Sequence, residues 1–331
     1  GCTVVLVDDR TGEKRDMDLH SLMHGVLSME HVELDYGGLR RRFQVSKMRG
    51  AAFREGYHDF AIRHGGVAIF PRLVAAEHHV EYPRETIRSG VAAIDTMLGG
   101  GIARGTSTLV LGPSGSGKTS LATQFAVHAA SEGKRTTLFV FDEALATFLE
   151  RSRGLGLDVD PFVKSGSLAI RQVDPAEMSP GEFSHAVRDE VEKNGTQIIV
   201  IDSLNGYLNA MPNERFLMLH LHELLTYLGQ HGVTTILLLT QHGIVSGEQV
   251  PVDASYLADT VILLRYFEAL GEVRQAISVI KKRTGRHERT IREFKFDGGV
   301  GVGEPVRDFQ GVLSGNPRLV NGASSEPRKP A

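Results

Sequence analysis

Thr106-Ser-Thr-Leu-Val-Leu111 runs directly into Gly112-Pro-Ser-Gly-Ser-Gly117-Lys118-Thr119-Ser120. The first stretch is a short apolar run of the kind that forms a buried strand. The second fits the pattern G-x-x-x-x-G-K-[S/T], and a helical pattern continues from Lys118 to Ser131. Glycines at 112, 115 and 117 let backbone N–H groups bend around an anion, and the first turn of the helix adds donors and a favourable dipole. Lys118 is placed to neutralise β- and γ-phosphates, and Thr119 to offer its hydroxyl to Mg2+. Gly112, Ser114, Gly115, Ser116, Gly117, Lys118, Thr119 and Ser120 are therefore the candidate nucleotide-binding residues. A glycine-rich turn that binds nothing has no need of a strand before it and a helix after it, so the context favours a phosphate loop.

Outward from this loop the pattern alternates. Thr136–Phe141, Gln197–Ile201 and Thr234–Leu239 read as further buried strands, Phe148–Gly154 lies in a helix, and Glu214–Gly229 has helical spacing. Such alternation predicts an α/β fold with a mostly parallel central sheet. After Thr260 the segments VILLRYFE, EVRQAISVIKKR and TIREFKF lie close together, which predicts antiparallel strands at one edge.

The strand ends carry the chemistry. Gln197–Ile201 leads into Asp202, whose carboxylate suits a Mg2+ shell. Thr136–Phe141 leads into Asp142-Glu143, on the side of the sheet where ligands bind. A carboxylate there can take a proton from water or a hydroxyl. Glu143 is the candidate base and Asp142 its helper; N-capping of the next helix is the alternative for Asp142. Gln241, after Thr234–Thr240, is either a γ-phosphate sensor or part of a plain strand-end turn.

Composition narrows the choices. The 331 residues are 41% hydrophobic, enough for two cores. A net charge of −3, the absence of Trp and the lack of a basic loop interleaved with aromatics argue against nucleic acid as the main partner. The single cysteine, Cys2, rules out an internal disulfide and a Cys-based zinc site, and suits a reducing, cytoplasmic compartment. No membrane span or signal peptide is expected from the hydropathy pattern. The His20/His24 and His78-His79 pairs come without a third ligand, so no metal beyond Mg2+ is assigned. Leu217–Leu228 is apolar at helical spacing and reads as core.

Self-comparison exposes a repeat. GCTVVLVDD from Gly1 resembles GVTTILLLTQ from Gly232, Phe43–Gly50 lines up with Ile277–Thr284, and His58–Arg63 with His287–Arg292. Three blocks in one order predict a duplication. The chain is then expected to carry the tail of a first domain (1–80), a complete second domain (81–314) and a polar, mobile tail (315–331). A partial α/β domain exposes an unpaired sheet edge and apolar faces.

Together these residues resemble the RecA-like P-loop ATPases and, within them, the KaiC family of circadian-clock ATPases and autokinases. The likeness covers nearly the whole chain, including SGVAAIDTMLGGGIARGTSTLVLGPSGSGKT from Ser89, VIDSLNGYLN and ISVIKKRTGRHERTIREF. The resemblance implies two tandem domains, a homo-oligomer (a hexamer) with ATP and Mg2+ at subunit interfaces, and KaiB-like, response-regulator or histidine-kinase partners. It gives Glu143 the general-base role, with Asp142 where the family more usually has Glu. It makes Lys281 and Arg283 a Lys-x-Arg finger reaching the neighbour's ATP, matched in the first copy by Lys47-Met48-Arg49. Ser255 falls on the family's phosphoacceptor Ser, while Tyr256 replaces its Thr, so a two-site phosphorylation cycle cannot run unchanged. Tyr256 is expected to pack. The expected activities are ATP hydrolysis and serine autophosphorylation in a signalling switch. The alternatives are a helicase-like, DNA-dependent ATPase and a regulatory ATPase without kinase activity.

Overall fold

Alternation of apolar and polar residues between Gly25 and Phe70 produces four strands, β1 (Gly25–Val32), β2 (Arg40–Met48), β3 (Tyr57–Arg63) and β4 (Gly66–Phe70), preceded by a short helix α1 (Met17–Leu22). They form an antiparallel sheet in chain order. The computed structural model describes residues 2–8, 17–33, 37–77, 79–209, 217–241, 254–269, 271–313 and 317–320. It divides into two compact units, residues 1–72 and 73–331. Asp9, His78 and Glu214, named above, lie outside the described residues, as do Arg10, His242 and Asp253.

In the first unit, register places Leu27, Met29, Ile62, Val67 and Ile69 on one sheet face, where all five side chains are exposed. Cys2–Val7, read above as strand-like, pairs with no strand among the described residues, and Val4 to Val7 are exposed. Its sequence counterpart, Thr234–Thr240, is a strand because it is hydrogen-bonded on both sides, to Ile198–Ile201 and to Ser107–Gly112. An extended apolar segment becomes a strand only where such neighbours exist.

The second unit opens with a two-strand ladder, β5 (Thr86–Ile87) and β6 (Ile102–Ala103), around helix α2 (Ala92–Met97). Its centre is a nine-stranded sheet. In chain order the strands are β7 (Ser107–Gly112), β8 (Thr136–Val140), β9 (Leu168–Gln172), β10 (Ile198–Asp202), β11 (Thr234–Thr240), β12 (Thr260–Ala269), β13 (Glu272–Lys282), β14 (Arg292–Lys295) and β15 (Gly301–Pro305). Across the sheet the order is β9-β8-β10-β11-β7-β12-β13-β14-β15. Pairing is parallel from β9 to β12 and antiparallel from β12 to β15. This is the mostly parallel α/β architecture with antiparallel edge strands of a RecA-like P-loop domain.

The parallel strands are apolar throughout because both faces are covered. Val110, Leu138, Val200, Leu238 and Ile262 pack with α2, α3 (Lys118–Ser131) and α4 (Leu145–Gly154), against which Phe162 of α5 (Asp160–Ser165) also rests. Leu109, Phe139, Ile199, Leu237 and Val261 face the other way, towards α6 (Pro180–Glu192), α7 (Leu204–Asn209) and α8 (Leu217–Gln230). Helix α6 starts at Ser179, whose hydroxyl accepts the Glu182 N–H at 3.1 Å, with Pro180 in the first turn. Arg318–Leu319, at the start of the polar tail, pair with Phe309–Gln310. Among the described residues no helix is long and apolar enough to cross a membrane.

Candidate nucleotide site

Four parallel strands end at one cavity of about 360 Å3. The loop after β7 supplies Ser114, Gly115, Gly117, Lys118, Thr119 and Ser120; β8 and the bend after it supply Val140, Asp142 and Glu143; β10 supplies Asp202 and Ser203; β11 supplies Thr240. Gly112 and Ser116 lie beneath the loop, buried.

The loop's shape requires its glycines. Gly115 and Gly117 have φ of 76° and 95°, in the left-handed region. A Cβ on Gly117 would stand 2.3 Å from Phe296 Cζ. The antiparallel edge braces the loop from outside, Tyr266 Oη donating to the Ser114 carbonyl and Gln275 Nε2 to the Gly115 carbonyl, each at 3.3 Å. Neither side chain was legible as a loop contact from the sequence.

Lys118 is 7% exposed, and its ammonium donates to the Gly112 and Pro113 carbonyls at 3.0 and 2.8 Å. Burial pulls this ammonium down to about 8, an effect the Asp202 charge opposes. Thr119 Oγ1 donates to Asp202 Oδ2 at 2.7 Å. Burial pushes the Asp202 carboxyl up, while the Thr119 hydrogen bond and the Arg151 charge hold it down. Two adjacent hard oxygen donors beside a phosphate loop fit Mg2+, which takes its remaining ligands from phosphate and water. No group of three or more His, Cys, Asp or Glu residues able to hold a metal occurs among the described residues.

The two neighbouring acids differ in their contacts. Asp142 Oδ2 accepts from Ser203 Oγ at 2.5 Å, tying the bend after β8 to the end of β10. It does not cap α4, whose N-cap position is Ala144 with no side-chain hydrogen bond. Glu143 instead turns to Arg151 of α4, which also lines the cavity, at 2.8 and 2.9 Å. Sequence reasoning missed Arg151, because a single arginine in a short helix looks like any surface arginine. Gln241 does not line the cavity; its N–H donates to the Gly112 carbonyl at 3.1 Å, and Thr240 takes the wall position.

Lys281, Arg283 and Ser255 stand elsewhere. Thr260 pairs with Thr108 and Val261 with Lys281, so these residues gather where β7 begins, while the loop lies where it ends. At about 3.3 Å per residue that separates them by most of a strand length, on the order of 15 Å. Lys281 Nζ donates to the Ser255 and Ala258 carbonyls at 2.9 and 2.8 Å. Arg283 donates to the Tyr256 carbonyl at 3.1 Å and faces Asp259 at 3.4 Å. Strand alternation sends the intervening Lys282 the other way, onto the Leu98 and Gly101 carbonyls. Tyr256 does not pack: it is 56% exposed, on a single 3-10 turn that offers no cover.

The first unit holds the same arrangement. Between β1 and β2 the register slips beside Lys47, as it slips beside Lys281 between β12 and β13. Lys47 donates to the His20 and Ser21 carbonyls at 2.8 and 2.9 Å, and Arg49 to the Ser21 carbonyl at 2.9 Å. The Arg49 N–H meets the His24 carbonyl as the Arg283 N–H meets that of Asp259. A bulge bends its strand and re-aims side chains, so both Lys-x-Arg pairs are aimed by one device.

Comparisons with known proteins place the chain in a family. A sequence profile described as the KaiC ATPase matches residues 87–306. The chain is 29% identical over 287 residues to the circadian clock oscillator protein KaiC of Synechococcus elongatus, covering 85% of this chain and 54% of that protein. It is 29% identical over 282 residues to the circadian clock protein KaiC3 of a Synechocystis species, covering 84% and 55%. The chain thus spans about half the length of the curated relatives it matches. A phosphate loop at the tips of four parallel strands and a match across well over half the chain have one meaning: the chain belongs to the KaiC family of ATPases.

Proposed function

We propose that this chain hydrolyses ATP at sites completed between copies of itself, and that it transfers phosphate to Ser255 as a slower, second reaction. The observation that carries this reading is the division of parts: Lys118, Thr119, Asp202 and Glu143 share one cavity, while Lys281 and Arg283 stand at the opposite end of the same sheet. No rearrangement of side chains within one chain spans that distance, so the basic pair serves a neighbour's phosphates. A head-to-tail ring, such as a hexamer, satisfies every site. The first unit, with its matching clamp at Lys47 and Arg49, is then a second copy of the β12–β15 element.

In this scheme loop N–H groups and Lys118 hold the β- and γ-phosphates. Thr119 and Asp202 would hold Mg2+, which when bound would supply neutralising charge on the phosphate oxygens. Glu143 takes a proton from the attacking water as its oxygen bonds to the γ-phosphorus, the β,γ-bridging bond breaks, and ADP leaves. With the Ser255 hydroxyl in place of water the product is a phosphoserine. Exposed Tyr256 limits the cycle to one serine, and the resulting switch would act on signalling partners in the cytoplasm.

Calorimetry with MgATP, alongside gel filtration, tests the core of the reading: binding and growth in apparent size are expected together, and no binding would overturn it. A phosphate-affinity gel should show a slower band that vanishes in Ser255→Ala; an unchanged band would remove Ser255 from the scheme. The lowered Lys118 adds a pH signature. A triphosphate favours the charged ammonium, so binding needs no proton below pH 8 but must take one up between pH 8 and the unperturbed value of 10.5. Affinity is therefore expected to be about tenfold weaker at pH 9 than at pH 7, with proton uptake measurable in buffers of different ionisation enthalpy.

A further inference from the structure

Arg151 has no place in the scheme above, yet it lines the same cavity as Lys118, Thr119 and Asp202. It sits two turns into α4, and its guanidinium lies 5.3 Å from the centre of the Phe148 ring, which steadies it. Nη1 donates to both oxygens of Glu143, at 2.9 and 2.8 Å. Nη2 is buried and, among the described residues, has no hydrogen-bond partner. A buried, unpaired guanidinium N–H beside a phosphate loop is a donor awaiting an acceptor. The carboxylate it partners is the one the reaction needs for a water.

The geometry points to Arg151 as a cis-acting sensor of the terminal phosphate, shared between Glu143 and the γ-phosphate so that a triphosphate, but not a diphosphate, releases the base. This rests on the reading of the cavity as an ATP site. The physical argument is a competition. The Glu143–Arg151 pair is partly exposed, its side chains 21% and 33% accessible, and such pairs hold weakly. A phosphate offers the same planar fork a doubly charged, bidentate partner. When Arg151 turns to it, Nη2 gains its missing acceptor and Glu143 is freed to orient and deprotonate water. ADP lacks the terminal group and leaves the pair closed, which keeps the base off solvent water between turnovers.

The test measures Kd for MgADP and for the magnesium complex of a non-hydrolysable imido analogue of ATP, using the full chain. In Arg151→Gln the analogue should bind about tenfold or more weakly, the worth of one or two charge-assisted hydrogen bonds, with MgADP changed by less than about twofold. Arg151→Lys keeps the charge and should recover part of the loss, which guards against a folding artefact. In Glu143→Gln the competitor is gone, so the analogue should bind several-fold more tightly than to wild type. That gain should vanish in the Glu143→Gln/Arg151→Gln double variant. A gain that persists without Arg151 would mean simple relief of charge repulsion and would overturn the exchange. Equal weakening of both nucleotides in Arg151→Gln would assign the arginine a structural role and overturn it as well. Wild-type protein that binds neither nucleotide would instead bring down the ATP-site reading itself.

Discussion

Arg283→Ala protein is expected to lose ATP turnover by about 10³–10⁵-fold, the range seen when a trans arginine is removed from a phosphoryl-transfer site. It should regain turnover when mixed with Lys118→Ala protein, which is expected to be inactive alone. The reason lies in where the two residues stand. Lys118 is at the carboxyl end of β7, and Arg283 follows β13 at the other end of the sheet, bonded to Tyr256 and Asp259. An interface that pairs the loop of an Arg283→Ala copy with the finger of a Lys118→Ala copy has every part it needs. In a randomly mixed ring of equal proportions about one interface in four is complete in this way, so roughly a quarter of wild-type turnover should return. A steady-state phosphate-release assay on the mixture decides it. A mixture no more active than its components would mean that Arg283 does not act across an interface.

Glu143→Gln carries the second large effect. Loss of a general base typically costs about 10²–10⁴-fold in rate. Here the loss should appear in kcat with no loss of nucleotide affinity, because the loop N–H groups, Lys118, Thr119 and Asp202 are untouched and the carboxylate that competes for Arg151 is gone. Asp142→Asn separates the two adjacent acids. It weakens the 2.5 Å bond from Ser203, which ties two strand ends together, and should disturb the site without removing its base. If Glu143→Gln turns over like wild type, the proton goes elsewhere and Asp142 is the next carboxylate to examine.

Much of this site was readable before any coordinates. The phosphate loop depends on residues adjacent in the chain, and its strand, bend and helix each carry their own local signal; α3 begins at Lys118 and ends at Ser131, the bounds its periodicity predicts. Asp202, Asp142 and Glu143 were legible because they terminate apolar runs. What escaped was everything set by tertiary neighbours. Leu168–Gln172 is short and half polar, and becomes a strand by pairing with β8 at the sheet's edge. Tyr266 and Gln275 reach the loop from strands some 150 residues further along the chain. Arg151 acquires its meaning only when α4 folds it back over the bend after β8. Conversely, Cys2–Val7 has the composition of a strand and, among the described residues, pairs with none.

The arrangement of loop and finger at opposite poles of one sheet also sets a counting rule. On the proposed assembly, a linear stack of protomers leaves one acceptor pole and one donor pole unused, so its number of finished catalytic centres is one fewer than its number of members. Closing the circle recovers that last centre without any new contact type. Specific activity should accordingly climb with protein concentration and level off once closure is complete, which makes a plain dilution series a gauge of ring formation.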